Sequence, residues 1–244
     1  MIDLNTLRKR FPKVRAPLPE PYQKILFDEY RANRKGQGFA FSFGQMLERW
    51  MHRRVSCGPA AFPLLEIGAG TLNHVVYEPE DGLYDAVEPW ADLYLGEPDR
   101  SRIRTIYPDV DEIPAETHYA RIVSIATLEH IIELPHVLIR CAQLLAPGGV
   151  LRAGIPSEGS PLWSLAWRCG TGTAFRWRTG LAYGTLMRHE HVNCAREIID
   201  LTGHFFREVR LEYFPLPFFA ASLYVCIHAR LPDLTAIEQF KAGD

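Results

Sequence analysis

The sequence predicts an α/β fold built on one doubly wound, mostly parallel sheet, and three observations support this class. From Phe62 onward, short apolar runs alternate with helix-like segments, which is the rhythm of successive βαβ units. A glycine-rich turn, from Gly68 to Gly70, follows the first apolar run, as at the ligand-binding edge of open α/β sheets. Two strand-like segments follow a helical pattern near the end of the chain, and they predict a terminal hairpin.

Residues 1–60 are predicted to form a helical cap ahead of a single domain that spans 61–244. Prolines between positions 12 and 21 mark an extended lead-in, and the stretch "FGQMLERWMHRRV" is typical of a helix. This front segment contains 12 Lys and Arg against 5 Asp and Glu, whereas the rest of the chain contains 15 against 24. Because the whole chain has a net charge of -2, we do not expect it to bind nucleic acid.

The predicted parallel strands are, in chain order, "PLLEIG", "YDAVEP", "IRTIYP", "YARIVSIAT" and "GVLRAGIP". A crossover helix is predicted between the last two strands, where Val137, Leu138 and Cys141 recur at helical spacing. Pro135 suits the first turn of this helix, and Pro147 with the two glycines that follow it ends the helix.

An insertion over residues 157–192 interrupts the alternation after the fifth strand, and we expect it to cover an acceptor as a lid. It is rich in aromatic residues and contains four arginines but no lysine. Arginine suits bidentate recognition of phosphate, and aromatic rings suit stacking on sugars. A solvated rim of arginines remains the alternative. The candidate acceptor-binding residues are Arg176, Arg178, Arg188 and His189.

The turn after the first strand predicts a ligand with a positive charge. Glycines at 68 and 70 let the backbone approach a ligand closely, but the third glycine of a dinucleotide motif is replaced by Asn73. Glu66 is a poor neighbour for pyrophosphate and a good one for an ammonium group. Glu88 ends the second strand, where a carboxylate can accept hydrogen bonds from ribose hydroxyls. These features, with the acidic loop "YPDVDEIP", favour S-adenosylmethionine as the cofactor.

Motifs around these residues resemble those of the class I S-adenosylmethionine-dependent methyltransferases, and of the type 11 methyltransferases among them. The motifs are "LEIGAGT", "DAVEP", "DVDEIP", "SIATLEHI" and "LLAPGGVL", over roughly Phe62 to Arg230. The resemblance implies a Rossmann-like, seven-stranded sheet of order 3-2-1-4-5-7-6 with its last strand antiparallel. It also implies the following contacts: Glu66, Gly68 and Gly70 at the methionine moiety, Glu88 at the ribose, Asp109 and Val110 at the adenine, and Ala126, Leu128 and His130 in the pocket beyond strand four.

The chain departs from that family pattern in two places. Leu72 stands where many members have glycine, and few residues separate Gly70 from the second strand, which predicts a truncated first helix. A narrower resemblance, to methyltransferases of bacterial surface-polysaccharide and O-antigen pathways, is found in "LEIGAGTLNHVVYEPE", "GIPSEGSPLW" and "RHEHVN". It implies methylation, at oxygen, of a saccharide or saccharide precursor.

A sugar hydroxyl is a weak nucleophile, so we expect a general base, which is most often histidine. The candidates are His191, which ends the insertion, and His130, which follows the fourth strand, with Glu190 or Glu129 to orient the base. A partly buried histidine that caps a helix is the alternative interpretation of His130. Adjacent His-Glu-His residues lack the spacing of a zinc pair on a helix, so no metal is expected from His189, Glu190, His191 and Glu158.

The expected partners are an anionic saccharide, a nucleotide sugar or a lipid-linked sugar. Peripheral association with a membrane and a homodimer both stay open. The start of the sequence lacks the apolar region of a signal peptide, and the five cysteines form no CxxC pair, so a cytoplasmic protein is expected. Two other functions remain as alternatives: an NAD-dependent dehydrogenase or epimerase, which Glu66 disfavours, and a non-catalytic binding protein with the same fold.

Overall fold

The centre of the protein is a seven-stranded sheet of order β3-β2-β1-β4-β5-β7-β6. The computed structural model describes residues 4–25 and 41–243. Strands β1 to β5 are parallel to one another, and β7 is antiparallel to both β5 and β6. The predicted strand order and terminal hairpin are therefore confirmed. The strands are β1 Leu64–Ile67, β2 Tyr84–Val87, β3 Thr105–Tyr107, β4 Tyr119–Ile125, β5 Leu145–Pro156, β6 Phe206–Pro215 and β7 Ser222–Pro232.

Helices cover both faces of this sheet. They are α1 Leu4–Arg8, α2 Phe41–Ser56, α3 Leu134–Leu144, α4 Pro161–Cys169, α5 Thr171–Thr179, α6 Tyr183–Glu190, α7 Ala195–Phe205 and α8 Leu234–Lys241. The crossover helix α3 has Pro135 in its first turn, as its sequence predicts. In α7, Ile198, Leu201 and Phe205 are fully buried and recur at helical spacing, so one stripe of this helix faces the sheet.

The two faces of the sheet are packed by different parts of the chain. On one face, Leu65, Ile122 and Leu151 belong to a core shared with α1, α3, α7 and α8. On the other face, Leu64, Val123 and Cys226 pack with Met51 and Val55 of α2. Side chains alternate between the faces of a strand, which is why neighbouring residues of β1 belong to different cores.

The segment expected as an N-terminal cap contributes to both helical layers. Leu7 of α1 is buried in the first core, and Arg8 donates a hydrogen bond to the Gln239 carbonyl oxygen at 3.0 Å, which holds α1 beside α8. Helix α2 packs directly against β4, β5 and β7. Part of the expected cap, residues 26–40, lies outside the described part of the chain.

The connection between β1 and β2 contains a 3₁₀ helix at Val75–Tyr77, and none of its described residues is α-helical. This agrees with the truncated first helix that the short spacing predicts. A βαβ unit normally buries its own sheet face with its crossover helix. Here α2, from an earlier part of the chain, packs over the sheet on that side.

The insertion over residues 157–192 contains three short helices, α4 to α6. It begins at a buried cluster of serines, in which Ser160 donates a hydrogen bond to the Ser222 carbonyl oxygen at 2.7 Å. Its other end packs on the N-terminal segment, where Tyr22, Phe175 and Leu186 form a small core. Within the described residues, no helix combines the length and apolar character needed to cross a bilayer.

Candidate functional site

The residues predicted to bind the cofactor lie where neighbouring parallel strands end. The carboxyl ends of β1 to β4 lie along one edge of the sheet, because these strands pair in parallel register. The edge is tied together by backbone hydrogen bonds from the Gly68 amide to the Val87 carbonyl and from the Glu88 amide to the Tyr107 carbonyl, at 2.8 and 2.9 Å. Open α/β sheets bind their ligands at this edge.

The turn after β1 has left-handed backbone at alternate residues. The φ angles of Gly68, Gly70 and Leu72 are +75°, +51° and +60°. A Cβ at Gly68 would lie 2.2 Å from Cγ2 of Thr127, so glycine is required there by a neighbouring side chain. A Cβ at Gly70 would meet no atom within 4 Å, so this glycine faces open space that a ligand can enter. Leu72 therefore has a left-handed backbone although its residue type is not glycine.

Glu88 is buried, and its carboxylate is held by two backbone amides. Its Oε2 accepts a hydrogen bond from Gly70 at 2.8 Å, and its Oε1 accepts one from Trp90 at 2.9 Å. Each carboxylate oxygen keeps a further lone pair that can accept a hydrogen bond from a ribose hydroxyl. Glu88 therefore connects the end of β2 to the glycine turn after β1.

Glu66 is buried at the end of β1, where its Oε2 accepts a hydrogen bond of 2.5 Å from the Tyr84 hydroxyl. Burial raises the pKa of Glu66 to about 8, although the hydrogen bond from Tyr84 opposes this shift. The carboxyl is thus mainly protonated at neutral pH in the unliganded protein. A ligand with an ammonium group next to it would favour the ionised form.

The contribution of Glu66 to the unfolding free energy of the unliganded protein is expected to fall as the pH rises from about 5 to about 8. Folded Glu66 keeps a proton over this range that an unfolded glutamate, with a pKa near 4.5, has lost. This linkage removes at most about 1.4 kcal/mol of unfolding free energy per pH unit. Urea denaturation at pH 5.5 and 7.5 measures the effect, and the Glu66→Gln variant should lack this component. An identical pH dependence in both proteins would contradict a protonated Glu66.

A network of buried charged and polar groups supports the loop after the glycine turn. Arg121 of β4 and Glu78 form an ion pair whose side chains are 0% and 1% exposed. His74 Nε2 lies 3.0 Å from the Glu78 carboxylate, and His52 Nδ1 lies 3.0 Å from His74 Nδ1. Burial lowers the pKa of His74, so the neutral ring donates from Nε2 to Glu78 and accepts from His52 at Nδ1.

The remaining predicted cofactor residues occupy the same edge. Asp109 is exposed after β3 and caps a 3₁₀ helix by accepting a hydrogen bond from the Asp111 amide at 2.9 Å. Val110, beside it, is buried. Ala126 is exposed after β4 with a left-handed φ of +50°, and the next predicted residue, Leu128, is buried. The structure thus brings the predicted cofactor residues together at one edge.

A cluster of two histidines and acidic residues lies beyond the end of β4. The rings of His130 and His191 are in edge-to-face contact, with centroids 4.8 Å apart. His130 Nδ1 lies 2.9 Å from the Glu190 carbonyl oxygen. Burial first, and then the charge of His191, lower the pKa of His130 to about 4, so this imidazole is neutral at pH 7.

His191 has a different partner from the one that its sequence suggests. Its Nδ1 lies 2.8 Å from Oε2 of Glu158, whereas the Glu190 carboxylate lies 4.0 Å from His130 and 3.7 Å from His189. The hydrogen-bond partner of His191 is therefore Glu158 and not the expected Glu190 or Glu129, because β5 ends directly beside the end of the insertion. Which residue orients the base stays a prediction. Burial acts to lower the pKa of His191, but the hydrogen bond and charge of Glu158 and the charge of Glu129 outweigh it and raise this pKa.

Glu129 is the residue before His130, and it is buried, with 2% of its surface exposed. Burial raises the pKa of Glu129 to about 7, and its Oε2 has no hydrogen-bond partner among the described residues. Three potential metal-ligand atoms lie within 4.8 Å of one another, one from each of Glu129, His130 and His191. A carboxylate and two imidazoles are also chemically able to bind a divalent cation, so metal chelation is a necessary control for any activity.

Arg15 ties this cluster to the N-terminal segment. Its guanidinium donates hydrogen bonds of 3.0, 3.2 and 2.9 Å to the carbonyl oxygens of His189, Glu190 and His130. His189 Nδ1 also lies 2.6 Å from the Ala16 carbonyl oxygen. Since Arg15 is far from these residues in sequence, no local pattern pointed to it. The predicted acceptor-binding residue His189 thus contacts the backbone of the lead-in segment.

The arginines of the insertion lie on its surface. Arg176, Arg178 and Arg188 are all exposed, and Arg188 donates a hydrogen bond of 3.5 Å to the Thr185 hydroxyl. A series of aromatic rings extends from His191 into the insertion, with centroids 6.0 to 6.4 Å apart. These rings are Trp163, Trp167 and Tyr183. The candidate base therefore borders an aromatic surface, while a role for the arginines stays a prediction.

Comparison with solved structures relates this architecture to methyltransferases. No family model matches the chain, and no curated protein matches it either. A structure of a SAM-dependent methyltransferase from Thermotoga maritima, named as a possible histamine N-methyltransferase, has a TM-score of 0.55 and 16% identity, over 75% of this chain and 91% of that one.

Two further similar structures contain S-adenosylhomocysteine. The N-methyltransferase NodS from Bradyrhizobium japonicum has a TM-score of 0.52 and 16% identity, over 88% of this chain and 100% of that one. The plantazolicin methyltransferase BpumL, in complex with a monoazolic desmethylPZN analog, has a TM-score of 0.58 and 8% identity, over 93% of this chain and 97% of that one. At such low identity the likeness concerns the fold. This protein has the Rossmann-like fold of the class I S-adenosylmethionine-dependent methyltransferases.

Proposed function

We propose that the protein is an S-adenosylmethionine-dependent methyltransferase that methylates a hydroxyl of a saccharide or saccharide precursor in cell-surface polysaccharide biosynthesis. The observation that carries the proposal is the arrangement of two sites at neighbouring strand ends. A glycine turn flanked by Glu66 and Glu88 follows β1 and β2, and the His191–Glu158 pair lies beyond β4 and β5. The glycine turn suits binding of the cofactor, and the His191–Glu158 pair suits activation of a hydroxyl.

The residues at the glycine turn fit S-adenosylmethionine. Gly70 faces open space, Glu88 offers carboxylate oxygens to a ribose, and Glu66 places a carboxyl where an ammonium group would ionise it. When bound, this cofactor supplies an electrophilic methyl group on a sulfonium. The chain itself therefore has to align the acceptor and exclude water.

His191 is the better candidate for the general base. Its Nδ1–H donates to Glu158, so in the neutral ring Nε2 carries the lone pair that can accept a proton from a hydroxyl. Glu158 and Glu129 stabilise the imidazolium that forms, as their effect on its pKa indicates. His130 is a weaker base because its pKa is about 4.

The aromatic rings beside His191 support a saccharide acceptor. Trp163 and Trp167 are half-buried, so each exposes part of an apolar face on which a sugar ring can stack. Exposed arginines on the neighbouring helices α5 and α6 would suit a phosphate or diphosphate on the same acceptor. We therefore place an anionic saccharide, such as a nucleotide sugar or a lipid-linked sugar, between the insertion and the strand ends.

Transfer of a labelled methyl group tests this function. Purified protein is incubated with methyl-labelled S-adenosylmethionine and a panel of nucleotide sugars, lipid-linked sugars, proteins and amines. Label is expected in a saccharide. Transfer of the label should continue when EDTA is present. Label only in proteins or amines would overturn the acceptor, and failure to bind S-adenosylhomocysteine in calorimetry would overturn the cofactor.

The Glu158→Gln variant is expected to lower the pKa of His191 and to reduce methyl transfer by about 10- to 100-fold. The amide removes the charge that raises this pKa, so the imidazolium is less stable. NMR titration of the imidazole measures the pKa, and labelled product measures the rate. The Glu190→Gln variant is the matched control and should change both quantities less, since its carboxylate is not hydrogen-bonded to His191. Equal effects of the two substitutions would contradict the assignment of Glu158.

A further inference from the structure

A cationic groove lies on the face of the sheet that α2 covers, across strands β5, β7 and β6. It has a volume of about 750 Å³, within the range of small-molecule sites. Five arginines line it against two glutamates, in a chain whose net charge is -2. One of these arginines, Arg207, is paired with Asp233 at 3.0 Å, and the other four give the groove its excess of positive charge.

Strand register explains why the arginines of the groove lie close together around His228. His228 of β7 is paired with Arg152 of β5 on one side and with Arg210 of β6 on the other. Residues directly opposite each other share a face of the sheet, so these three side chains form one row. Arg230, two residues after His228, lies on the same face in the next row. Burial lowers the pKa of His228, so the positive charge of this row comes from its arginines, and an anion bound between them would reduce their mutual repulsion.

Two glutamates compensate this positive charge only in part, and one of them, Glu208, lies opposite Arg230 in the strand register. Glu212 is shared by Arg54, Arg210 and His228, the last two at 3.5 and 3.7 Å. Neither Arg152 nor Arg230 has a carboxylate within 4.0 Å among the residues that the structure describes.

Arg152 is the deepest of these cations, at 8% exposure. Its Nη1 donates to the carbonyl oxygens of Val55 and Cys57 at the end of α2, and its Nε has no partner in the described part of the chain. The carbonyl oxygens at a helix end bind a cation favourably, which fixes one side of the guanidinium. The Nε2 of His228 is also buried without a hydrogen bond to any described residue. The row therefore combines buried nitrogen atoms that lack hydrogen-bond partners with an excess of positive charge.

We propose that this groove binds the phosphate or diphosphate group of a small soluble ligand. Arginine guanidinium groups match phosphate oxygens in charge and geometry. The groove is separate from the methyl-transfer site: Val150 and Arg152 lie early in the parallel part of β5, which runs from there toward the cofactor edge. A ligand bound here acts away from the reacting atoms, so the site is a second one and is independent of the proposed function.

Calorimetric titration with inorganic pyrophosphate at low ionic strength tests the proposal. Saturable binding is expected for the wild-type protein. The double variant Arg210→Gln, Arg230→Gln should weaken it by about 10-fold or more, since both side chains are exposed and their loss spares the core. The control Arg53→Gln removes an exposed arginine of α2 outside the groove and should bind as the wild type does.

A substitution that removes a negative charge from the groove is expected to have the opposite effect on binding. Glu212→Gln releases Arg210 and His228 from their shared carboxylate and should strengthen pyrophosphate binding several-fold. Equal pyrophosphate affinity in all these proteins would overturn the proposal. Binding to vesicles of anionic phospholipid that is lost in the double variant, without binding of pyrophosphate, would also overturn it in favour of a membrane surface. Unchanged affinity for S-adenosylhomocysteine in every variant verifies that the proteins are folded.

Discussion

Replacing Gly70 by leucine is expected to weaken the binding of S-adenosylhomocysteine by at least about 100-fold while the protein stays folded. The new side chain would enter the open space next to Glu88, where no protein atom lies within 4 Å of the added Cβ. Left-handed backbone costs a non-glycine residue roughly 1 to 2 kcal/mol. The turn already accommodates this conformation at Leu72, whose φ is +60°. Isothermal titration calorimetry measures the loss of binding.

The Gly180→Leu variant provides the matched control for this experiment. Gly180 ends α5 with a φ of +74°, and a Cβ there also meets no atom within 4 Å. Both variants therefore carry a similar backbone cost, and only the variant at Gly70 places atoms in the proposed cofactor site. Equal affinity of the two variants for S-adenosylhomocysteine would show that the glycine turn does not bind the cofactor.

The Glu78→Gln variant is expected to lose about 3 to 5 kcal/mol of unfolding free energy. Glu78 is the ionic partner of the fully buried Arg121, and removing one member of a buried ion pair leaves the other charge uncompensated. Burial acts to raise the pKa of Glu78, but its hydrogen bond with His74 and the charge of Arg121 hold that pKa below its ordinary value. Urea denaturation, monitored by circular dichroism, measures the change.

An exposed glutamate in the same loop gives the comparison. Glu80→Gln should shift the unfolding free energy by no more than about 0.5 kcal/mol, as is usual at exposed positions. The double variant Glu78→Gln, Arg121→Met should recover part of the lost unfolding free energy, because it also removes the uncompensated charge of Arg121. If Glu78→Gln is as stable as Glu80→Gln, the ion pair does not support the loop.

Most of the sheet could be predicted from sequence because its strands are short apolar runs separated by turn residues. The same patterns predict α3 and α7, whose buried residues recur at helical spacing. The role of α2 in covering the β1–β2 side of the sheet was less accessible. Its own sequence indicates a helix, but the partner that it packs against depends on strands more than 60 residues later in the chain.

The candidate site was predictable to the extent that its residues occur in local motifs. The glycine turn, Glu66 and Glu88 follow successive strands, so parallel pairing alone brings them together. The Glu158–His191 pair and the contacts of Arg15 join segments that are distant in sequence. Their formation depends on how the insertion folds back over the strand ends, and no periodic pattern encodes that geometry.

The missing crossover helix between β1 and β2 has a consequence for the order of folding. In an ordinary βαβ unit a nascent chain can cover the first strands with their own helix as soon as it is made. Here the residues that cover this unit come from an earlier helix that also packs on β7, and the cation that neutralises Glu78 comes from β4. Contacts this far apart in sequence form slowly. The loop after the glycine turn can therefore gain its buried ion pair only after β4 has been synthesised.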